Sequence, residues 1–144
     1  MSDDPKGATN GLDHIGVAVA NLGESLKMYE TAMGLKATSF DEADQSKIAF
    51  LPIGDTRIEL LEGLTPDSPI SKFVAKRGPG IHHLCFRVPD IHAAYARLKA
   101  SGAQMLDPAP RAGAHGCTVF FIHPKSGGGV LMEFSQPPAV DAAH

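Results

Sequence analysis

The sequence has only two cysteines, no tryptophan and no long apolar run. Cys85 and Cys117 are too few for a disulfide framework and lack the CxxC spacing of zinc sites, so we expect free thiols and a reducing cytoplasm. No apolar stretch approaches the roughly 18 residues that span a bilayer. The polar start, MSDDPKGATNG, has no apolar segment of the kind found in secretory signals. We therefore expect a cytoplasmic protein with no membrane partner.

Basic residues are also scarce. Thirteen lysines and arginines against 16 aspartates and glutamates give a net charge of −3. Proteins that hold nucleic-acid phosphates usually show a basic excess, so we expect no nucleic-acid partner. Apolar residues make up 43% and charged residues 20% of the 144 residues. This composition predicts a globular chain with a buried core, and it excludes a disordered chain, a collagen-like fibre and a coiled coil.

The chain contains an internal repeat. Residues 12–30 align with residues 82–100, so that His14 falls on His83. Both segments show the apolar alternation of a strand, followed by apolar residues at helical spacing. Asn21 is the predicted N-cap of the first helix. Its expected buried face is Leu22, Leu26, Tyr29 and Met33, and that of the second helix, capped by Asp90, is Ile91, Ala94, Tyr95 and Leu98.

The second half of each repeat predicts a pair of strands. Residues 47–63 form one pair with a tight turn at Gly54-Asp55, and residues 117–136 form the other with the longer turn HPKSGGG. Short strands at 36–40 and 104–106 complete an order of β-α-β-β-β in each module. The predicted fold is α+β, with two tandem βαβββ modules forming a cupped mixed sheet around a metal site.

We predict a single structural domain over residues 12–136. A helical linker, which begins with Ser68 as cap and Pro69 at the first helical position, separates the modules. The predicted boundaries are a flexible N-terminal tail at 1–11, the first module at 12–64, the linker at 65–80, the second module at 81–136 and a C-terminal tail at 137–144.

Polar side chains recur at matching places in the two modules. His14 and His83 point away from the apolar residues of their strands, and Glu59 and Glu133 each stand between two large apolar residues. Successive strand residues point to opposite sides, so we expect all four on faces not packed on helices. A buried carboxylate is costly unless it is paired or binds a metal. Two histidines and two glutamates suit Co²⁺, Ni²⁺, Zn²⁺, Mn²⁺ or Fe²⁺.

Each of these residues also has a simpler interpretation. A strand histidine is more often a hydrogen-bonded core residue, and a glutamate between apolar residues often lies at a sheet edge facing water. The recurrence of both residue types favours the metal site. His82 points away from His83 in an ideal strand, and we interpret it as structural.

Several stretches resemble a known family. The paired modules are similar to the vicinal oxygen chelate superfamily, also called the glyoxalase fold, over residues 12–136. Within it the closer resemblance is to the methylmalonyl-CoA epimerases. The stretches that carry it are LDHIGVAV, AFLPIGDTRIELLE, DSPISKFVAKRGPGIHHLCFRV, GAHG and FIHPKSGGGVLMEF.

The resemblance implies an isomerase that interconverts (2R)- and (2S)-methylmalonyl-CoA. Its pattern implies a divalent metal ion, with Co²⁺ favoured, held by His14, Glu59, His83 and Glu133. The reaction would remove the α-proton to give a metal-stabilised enolate, with Glu133 as first candidate base and Glu59 as second. Some family members carry a glutamate base where this chain has Ile48. An acyl-CoA substrate and a homodimer are also implied.

Candidate substrate contacts are Lys125, His115 and Arg87. Further candidates for the phosphates of CoA are Lys72, Lys76, Arg77 and Arg111. Three alternatives remain open: a lactoylglutathione lyase with the same metal logic, an iron extradiol dioxygenase, and a non-catalytic small-molecule-binding protein of the same fold. The four-residue pattern split across two modules argues against the dioxygenase, and a metal-free binding protein has no need for buried histidine and glutamate at matched places.

Overall fold

A computed structural model describes residues 5–139, so the ends of both predicted tails, residues 1–4 and 140–144, lie outside the described residues. The chain divides into two compact units. Within the described residues, the first unit comprises residues 13–84, and the second comprises residues 85–139 together with residues 5–12. The linker helix thus belongs to the first unit. No helix within residues 5–139 combines the length and the apolar character needed to cross a membrane.

The first unit contains a four-stranded sheet. Its spatial order is β2-β3-β4-β1, with β1 parallel to β4 and the other pairs antiparallel. The hairpin predicted at 47–63 is confirmed, and its turn contains Gly54 with a φ of 56°. The strands are β1 (Gly11–Ala18), β2 (Ser39–Ala43), β3 (Ser46–Ile53) and β4 (Thr56–Gly63).

The helices of the first unit begin at the predicted caps. Helix α1 (Leu22–Leu26) follows Asn21, whose side chain accepts the Glu24 N–H, and α2 (Pro69–Arg77) follows Ser68. The chain continues from α1 as a π-helix over Lys27–Ala32, in which the Met33 N–H donates to the Met28 carbonyl. The expectation that Met33 is buried is wrong: it is 55% exposed, because the wider π turn moves it off the apolar stripe.

Helices pack on both faces of the first sheet. Leu60 of β4 packs with Leu22 beneath α1, as predicted, whereas Leu61, the next residue, packs with Ile70 of α2. Glu59 shares the Leu61 face because the two residues are two positions apart on one strand. The expectation that this face carries no helix is therefore wrong. The linker helix covers part of it, because its own apolar side also needs a partner.

The second unit is built around an aromatic core. Strand β5 (Gly80–Arg87) passes from the first unit into the second and leads to α3 (Ile91–Ala100), which Asp90 caps as predicted. Phe120 and Phe134 stack with ring centroids 5.1 Å apart and pack against α3. The antiparallel order is β8-β7-β6. These strands are β6 (Arg111–Ala112), β7 (Thr118–Ile122) and β8 (Leu131–Gln136).

Two other boundaries differ from expectation in the second unit. The strand predicted at 104–106 is reduced to one isolated bridge between Met105 and Ile122, and residues 111–112 form the short strand instead. Pro108 and Pro110 remove two backbone donors between these segments, which prevents a continuous strand. In the predicted N-terminal tail, Gly7 is buried against the backbone of α3.

The buried cap of α2 gives a stability prediction. The Ser68 side chain is fully buried, and its hydroxyl accepts the Ser71 N–H at 3.0 Å. We expect Ser68→Ala to lower the free energy of unfolding by about 1–2 kcal/mol in urea titrations, because a buried helix donor loses its acceptor. Ser101 is a matched control, since its exposed hydroxyl bonds the Leu98 carbonyl at the end of α3. Ser101→Ala should change stability by less than about 0.5 kcal/mol, and equal losses would contradict this account.

Candidate metal centre

Buried ionisable side chains are concentrated in one place. Among the described residues, the buried acidic and imidazole side chains are Asp13, His14, Glu59 and His83, with 6% to 8% of each residue exposed. All four belong to the first unit. A protein interior accommodates such groups only when partners compensate their charge and hydrogen-bonding capacity. The cluster therefore marks this part of the first unit as its candidate functional site.

The Nε2 atoms of the two histidines face each other. Nε2 of His14 on β1 lies 3.1 Å from Nε2 of His83 on β5, and the rings are nearly perpendicular, with an interplanar angle of 89°. Two imidazole nitrogens that bind one ion at about 2.1 Å, at roughly a right angle, are separated by about 3 Å. The observed pair fits a shared metal ion.

The inner nitrogens of both histidines have protein partners. Nδ1 of His14 lies 2.8 Å from Oδ2 of Asp13, a contact that favours the tautomer with the proton on Nδ1 and the lone pair on Nε2. Such carboxylate–histidine pairs typically orient metal-ligating imidazoles. Nδ1 of His83 lies 2.9 Å from Nδ1 of His82, whose ring also contacts Phe73 of α2. His82 therefore orients His83, a role that ideal strand alternation does not predict because neighbouring side chains should diverge.

Glu59 is held by an arginine that our sequence reasoning missed. Nε and Nη2 of Arg57 donate to Oε2 of Glu59 at 2.8 and 2.7 Å, and Nη2 also lies 3.1 Å from Oδ2 of Asp13. Oε2 of Glu59 is in addition 3.2 Å from Nδ1 of His14. Among the described residues, no hydrogen bond to Oε1 of Glu59 is formed. Arg57 stands two residues before Glu59 on one strand, and that spacing was the available signal.

The charges of this cluster favour a cation. The carboxylates of Asp13 and Glu59 carry two negative charges, and the Arg57 guanidinium supplies one positive charge. With neutral imidazoles the cluster is left with one net negative charge. Its candidate ligand atoms are imidazole nitrogen and carboxylate oxygen, the set that suits divalent ions of intermediate hardness. The residues present therefore fit a divalent metal ion.

Glu133 lies in the second unit, on β8. Its strand neighbours Met132 and Phe134 pack in the core beneath α3, so Glu133 points to the opposite face, as the alternation predicts. Phe121 of β7 is its cross-strand partner. Arg111 lies over the Phe121 ring at 5.5 Å, and its Nε donates to Asp107 at 2.8 Å.

The surroundings of the two glutamates repeat. In the first unit Phe50 is the cross-strand partner of Glu59, and Arg57 lies over its ring at 5.7 Å. In each unit, therefore, the cross-strand partner of the glutamate is a phenylalanine, and an arginine guanidinium lies over the ring of that phenylalanine. The structure brings Nε2 of His14 and Nε2 of His83 together, whereas Glu59 contacts His14 at the other ring nitrogen, Nδ1. That Glu59 is also a ligand stays a prediction. That Glu133 joins them stays a prediction.

The other candidate residues are distributed over both units. His115 has a φ of 56° in a short turn over Ala114–Gly116. Lys125 lies in the HPKSGGG turn, where its N–H donates to Nδ1 of His123. Arg87 ends β5, and its carbonyl accepts the Asn10 N–H. Lys72, Lys76 and Arg77 are exposed on α2 of the first unit. Roles in substrate binding stay predictions for all of them.

Ile48 is the residue that the resemblance aligns with a glutamate base of some family members. It is 8% exposed, pairs with Leu61 across the β3–β4 ladder and packs beneath α2. Its side chain shares the Glu59 face but contributes no ionisable group there. Proton transfer in this chain must therefore use other residues.

Comparison with known proteins shows which family this chain belongs to. Residues 13–121 match the Glyoxalase/Bleomycin resistance protein/Dioxygenase superfamily. An ethylmalonyl-CoA/methylmalonyl-CoA epimerase of Cereibacter sphaeroides is 40% identical over 129 residues, which cover 87% of this chain and 96% of that protein. The mitochondrial methylmalonyl-CoA epimerase of Dictyostelium discoideum is 38% identical over 87% of this chain and 77% of its own length.

Solved structures of methylmalonyl-CoA epimerases resemble this chain as well. The methylmalonyl-CoA epimerase of Mycobacterium tuberculosis superposes with a TM-score of 0.85 at 35% identity, covering 94% of this chain and 93% of its own. A Streptomyces coelicolor methylmalonyl-CoA epimerase variant in complex with 2-nitronate-propionyl-CoA gives a TM-score of 0.87 at 31% identity, covering 94% and 99%. The chain therefore belongs to the glyoxalase superfamily, with its α+β fold, and within it to the methylmalonyl-CoA epimerase family of enzymes. The resemblance stated from the sequence is confirmed.

The close approach of β1 to His83 gives a prediction for the site. A Cβ added to Gly16 would collide with three atoms of the His83 imidazole. We expect Gly16→Ala to displace this ring and weaken Co²⁺ binding at least about tenfold, the scale of a disturbed ligand environment, measured by competition with a chromophoric chelator. Gly23 on α1 is the control, because an added Cβ there meets only Oδ1 of Asn21 at 3.5 Å. Unchanged Co²⁺ affinity in Gly16→Ala would show that the ring is not a ligand.

Proposed function

We propose that this enzyme interconverts the two epimers of methylmalonyl-CoA in a metal-dependent reaction. The observation that carries the proposal is the 3.1 Å approach of the His14 and His83 Nε2 atoms within a buried acidic cluster. The reaction class is supported by relatives whose names specify epimerases of this substrate, one of them also of ethylmalonyl-CoA. A thioester flanked by a carboxylate offers two oxygens to one ion, which suits a chelating site.

The ligand set that we propose is His14, His83 and Glu59 from the first unit, with Glu133 from the second. The free Oε1 of Glu59 is the oxygen available to an ion, since Arg57 engages Oε2. A divalent ion bound there, Co²⁺ first among the candidates, supplies a Lewis acid that stabilises the negative charge developing on the thioester oxygen. Asp13 and His82 hold the two imidazoles in the orientation that this binding requires.

Inversion at carbon 2 needs a proton to leave one face and return to the other. Glu133 is the proposed first base: a carboxylate oxygen of Glu133 takes the α-proton as the electron pair moves into the enolate. Glu59 is the proposed second group: in its protonated form it gives its proton to the opposite face of carbon 2, and the two carboxyl groups then exchange protons with water before the next turnover. The two hydrogen bonds from Arg57 restrict Glu59, so Glu133 is better placed to be the carboxylate that moves.

The remaining parts of the proposal concern substrate and setting. Lys125, His115 and Arg87 are proposed to contact the acyl-CoA, with Arg111 and the lysines of α2 near its phosphates. A reducing compartment such as the cytoplasm is proposed, in which Cys85 and Cys117 would stay reduced. A homodimer is proposed because small modules of this fold commonly pair.

Deuterium exchange tests the function directly. Chelator-treated protein and protein reloaded with Co²⁺ are incubated with (2R)- or (2S)-methylmalonyl-CoA in D₂O, and deuterium at carbon 2 is followed with the appearance of the other epimer. We expect both signals only in the reloaded sample. Absence of both, together with turnover of the glutathione adduct of methylglyoxal, would identify a lactoylglutathione lyase instead.

Substitution of the proposed base separates chemistry from metal binding. Glu133→Gln keeps an oxygen donor but cannot accept the α-proton, so we expect kcat to fall at least about a hundredfold while Co²⁺ affinity falls less. Glu59→Gln is the matched variant on the other hairpin, and comparing the two ranks the bases. Wild-type turnover in Glu133→Gln would remove this residue from the mechanism.

A further inference from the structure

One guanidinium links the acidic groups of the candidate metal centre. Arg57 reaches Oε2 of Glu59 through two nitrogens, at 2.8 and 2.7 Å, and Oδ2 of Asp13 at 3.1 Å. Both acceptor side chains are at most 10% exposed, whereas the Arg57 side chain is 28% exposed. Asp13 in turn accepts from His14. A single positive charge is thus shared between a proposed ligand and the group that orients another ligand.

We propose that Arg57 is the built-in counter-cation of this centre: it holds Asp13 and Glu59 in place without an ion and lowers the affinity of the site for a divalent metal. The inference rests on the proposed metal site of the epimerase. All these contacts are made by the chain's own groups, so they can form before any metal arrives. Without Arg57, two buried carboxylates would lie close together with no positive charge between them.

The positive charge of Arg57 has opposite effects on the metal-free and the metal-bound states of the site. It stabilises the metal-free protein because it offsets carboxylate repulsion in a region of low dielectric. It disfavours an incoming cation because it repels it at short range. A residue that only oriented the ligands would behave differently, since its loss would weaken metal binding. The sign of the change in metal affinity therefore separates the two roles.

The second unit provides the control for this inference. Arg111, like Arg57, lies over the ring of a phenylalanine whose cross-strand partner is a glutamate. Arg111, however, forms an ion pair with Asp107, through Nε at 2.8 Å, and half of its side chain is exposed. The two arginines share residue type and ring stacking and differ in the carboxylates that they hold.

The experiment compares charge and hydrogen bonding at position 57. Arg57→Gln keeps a donor but removes the charge, Arg57→Lys keeps the charge but loses the planar fork, and Arg111→Gln is the control. Each full-length variant is stripped with chelator, and its thermal midpoint is recorded before and after Co²⁺ addition. The dissociation constant for Co²⁺ is measured by competition with a chromophoric chelator, and the visible Co²⁺ absorption spectrum reports the ligand geometry.

We expect the stripped Arg57→Gln protein to melt at least about 5 °C below wild type. Its Co²⁺ affinity should rise about tenfold, so Co²⁺ should raise its midpoint more than that of wild type. Arg57→Lys should bind Co²⁺ within about twofold of wild type, and Arg111→Gln should match wild type in both measurements. If Arg57→Gln folds only with Co²⁺ present, the expected effect is present in its strongest form.

Two results would overturn the inference. Weaker Co²⁺ binding by Arg57→Gln than by wild type would make Arg57 an orienting group only, and equal affinities of the Gln and Lys variants would show that its charge has no effect. Either result leaves the proposed epimerase intact, because wild-type activity is measured separately. If the wild-type chain binds no Co²⁺, both the metal-dependent function and this inference are overturned.

Discussion

The burial of two carboxylates beside two imidazoles is the constraint on which the rest of this structure depends. Asp13 and Glu59 are almost completely removed from solvent, and each must recover in the folded state the interactions that it loses with water. Arg57 and His14 supply most of them. With neutral imidazoles, the two carboxylates and the Arg57 guanidinium sum to one net negative charge, which favours a cation in this cluster.

Strand geometry explains how the first unit assembles these groups. The parallel pairing of β1 with β4 sets Gly16 opposite Glu59, and His14 lies two residues earlier on the same face. A glycine is needed at position 16 because the imidazole of His83 lies where its side chain would be. Regular strands therefore fix the spacing of the ligands, and small residues between them provide the room for the rings.

Most of the fold was predictable because its signals are local. Alternation identified the long strands, and side-chain caps at Asn21, Ser68 and Asp90 identified the starts of the helices. The burial of Met33 was predicted wrongly because a π-helix changes the helical period, and no single residue in the sequence indicates that change. The position of α2 was missed for a different reason: which face of a sheet a linker helix covers depends on contacts between distant parts of the chain.

For the site, too, features with a sequence signal were predicted, and features that depend on contacts in the folded chain were missed. Repetition revealed the histidines and glutamates, whereas Arg57 and His82 were missed because no repeated pattern marks their role. The repeat nevertheless includes more than the proposed ligands. Arg57 lies over the ring of Phe50 in one unit, and Arg111 lies over the ring of Phe121 in the other. What differs is the carboxylate that each arginine holds: Arg57 bonds Glu59 itself, and Arg111 bonds Asp107. The two halves are similar, and this difference gives their glutamates unequal surroundings: Glu59 is held by an arginine of its own strand, whereas Arg111 holds a different carboxylate.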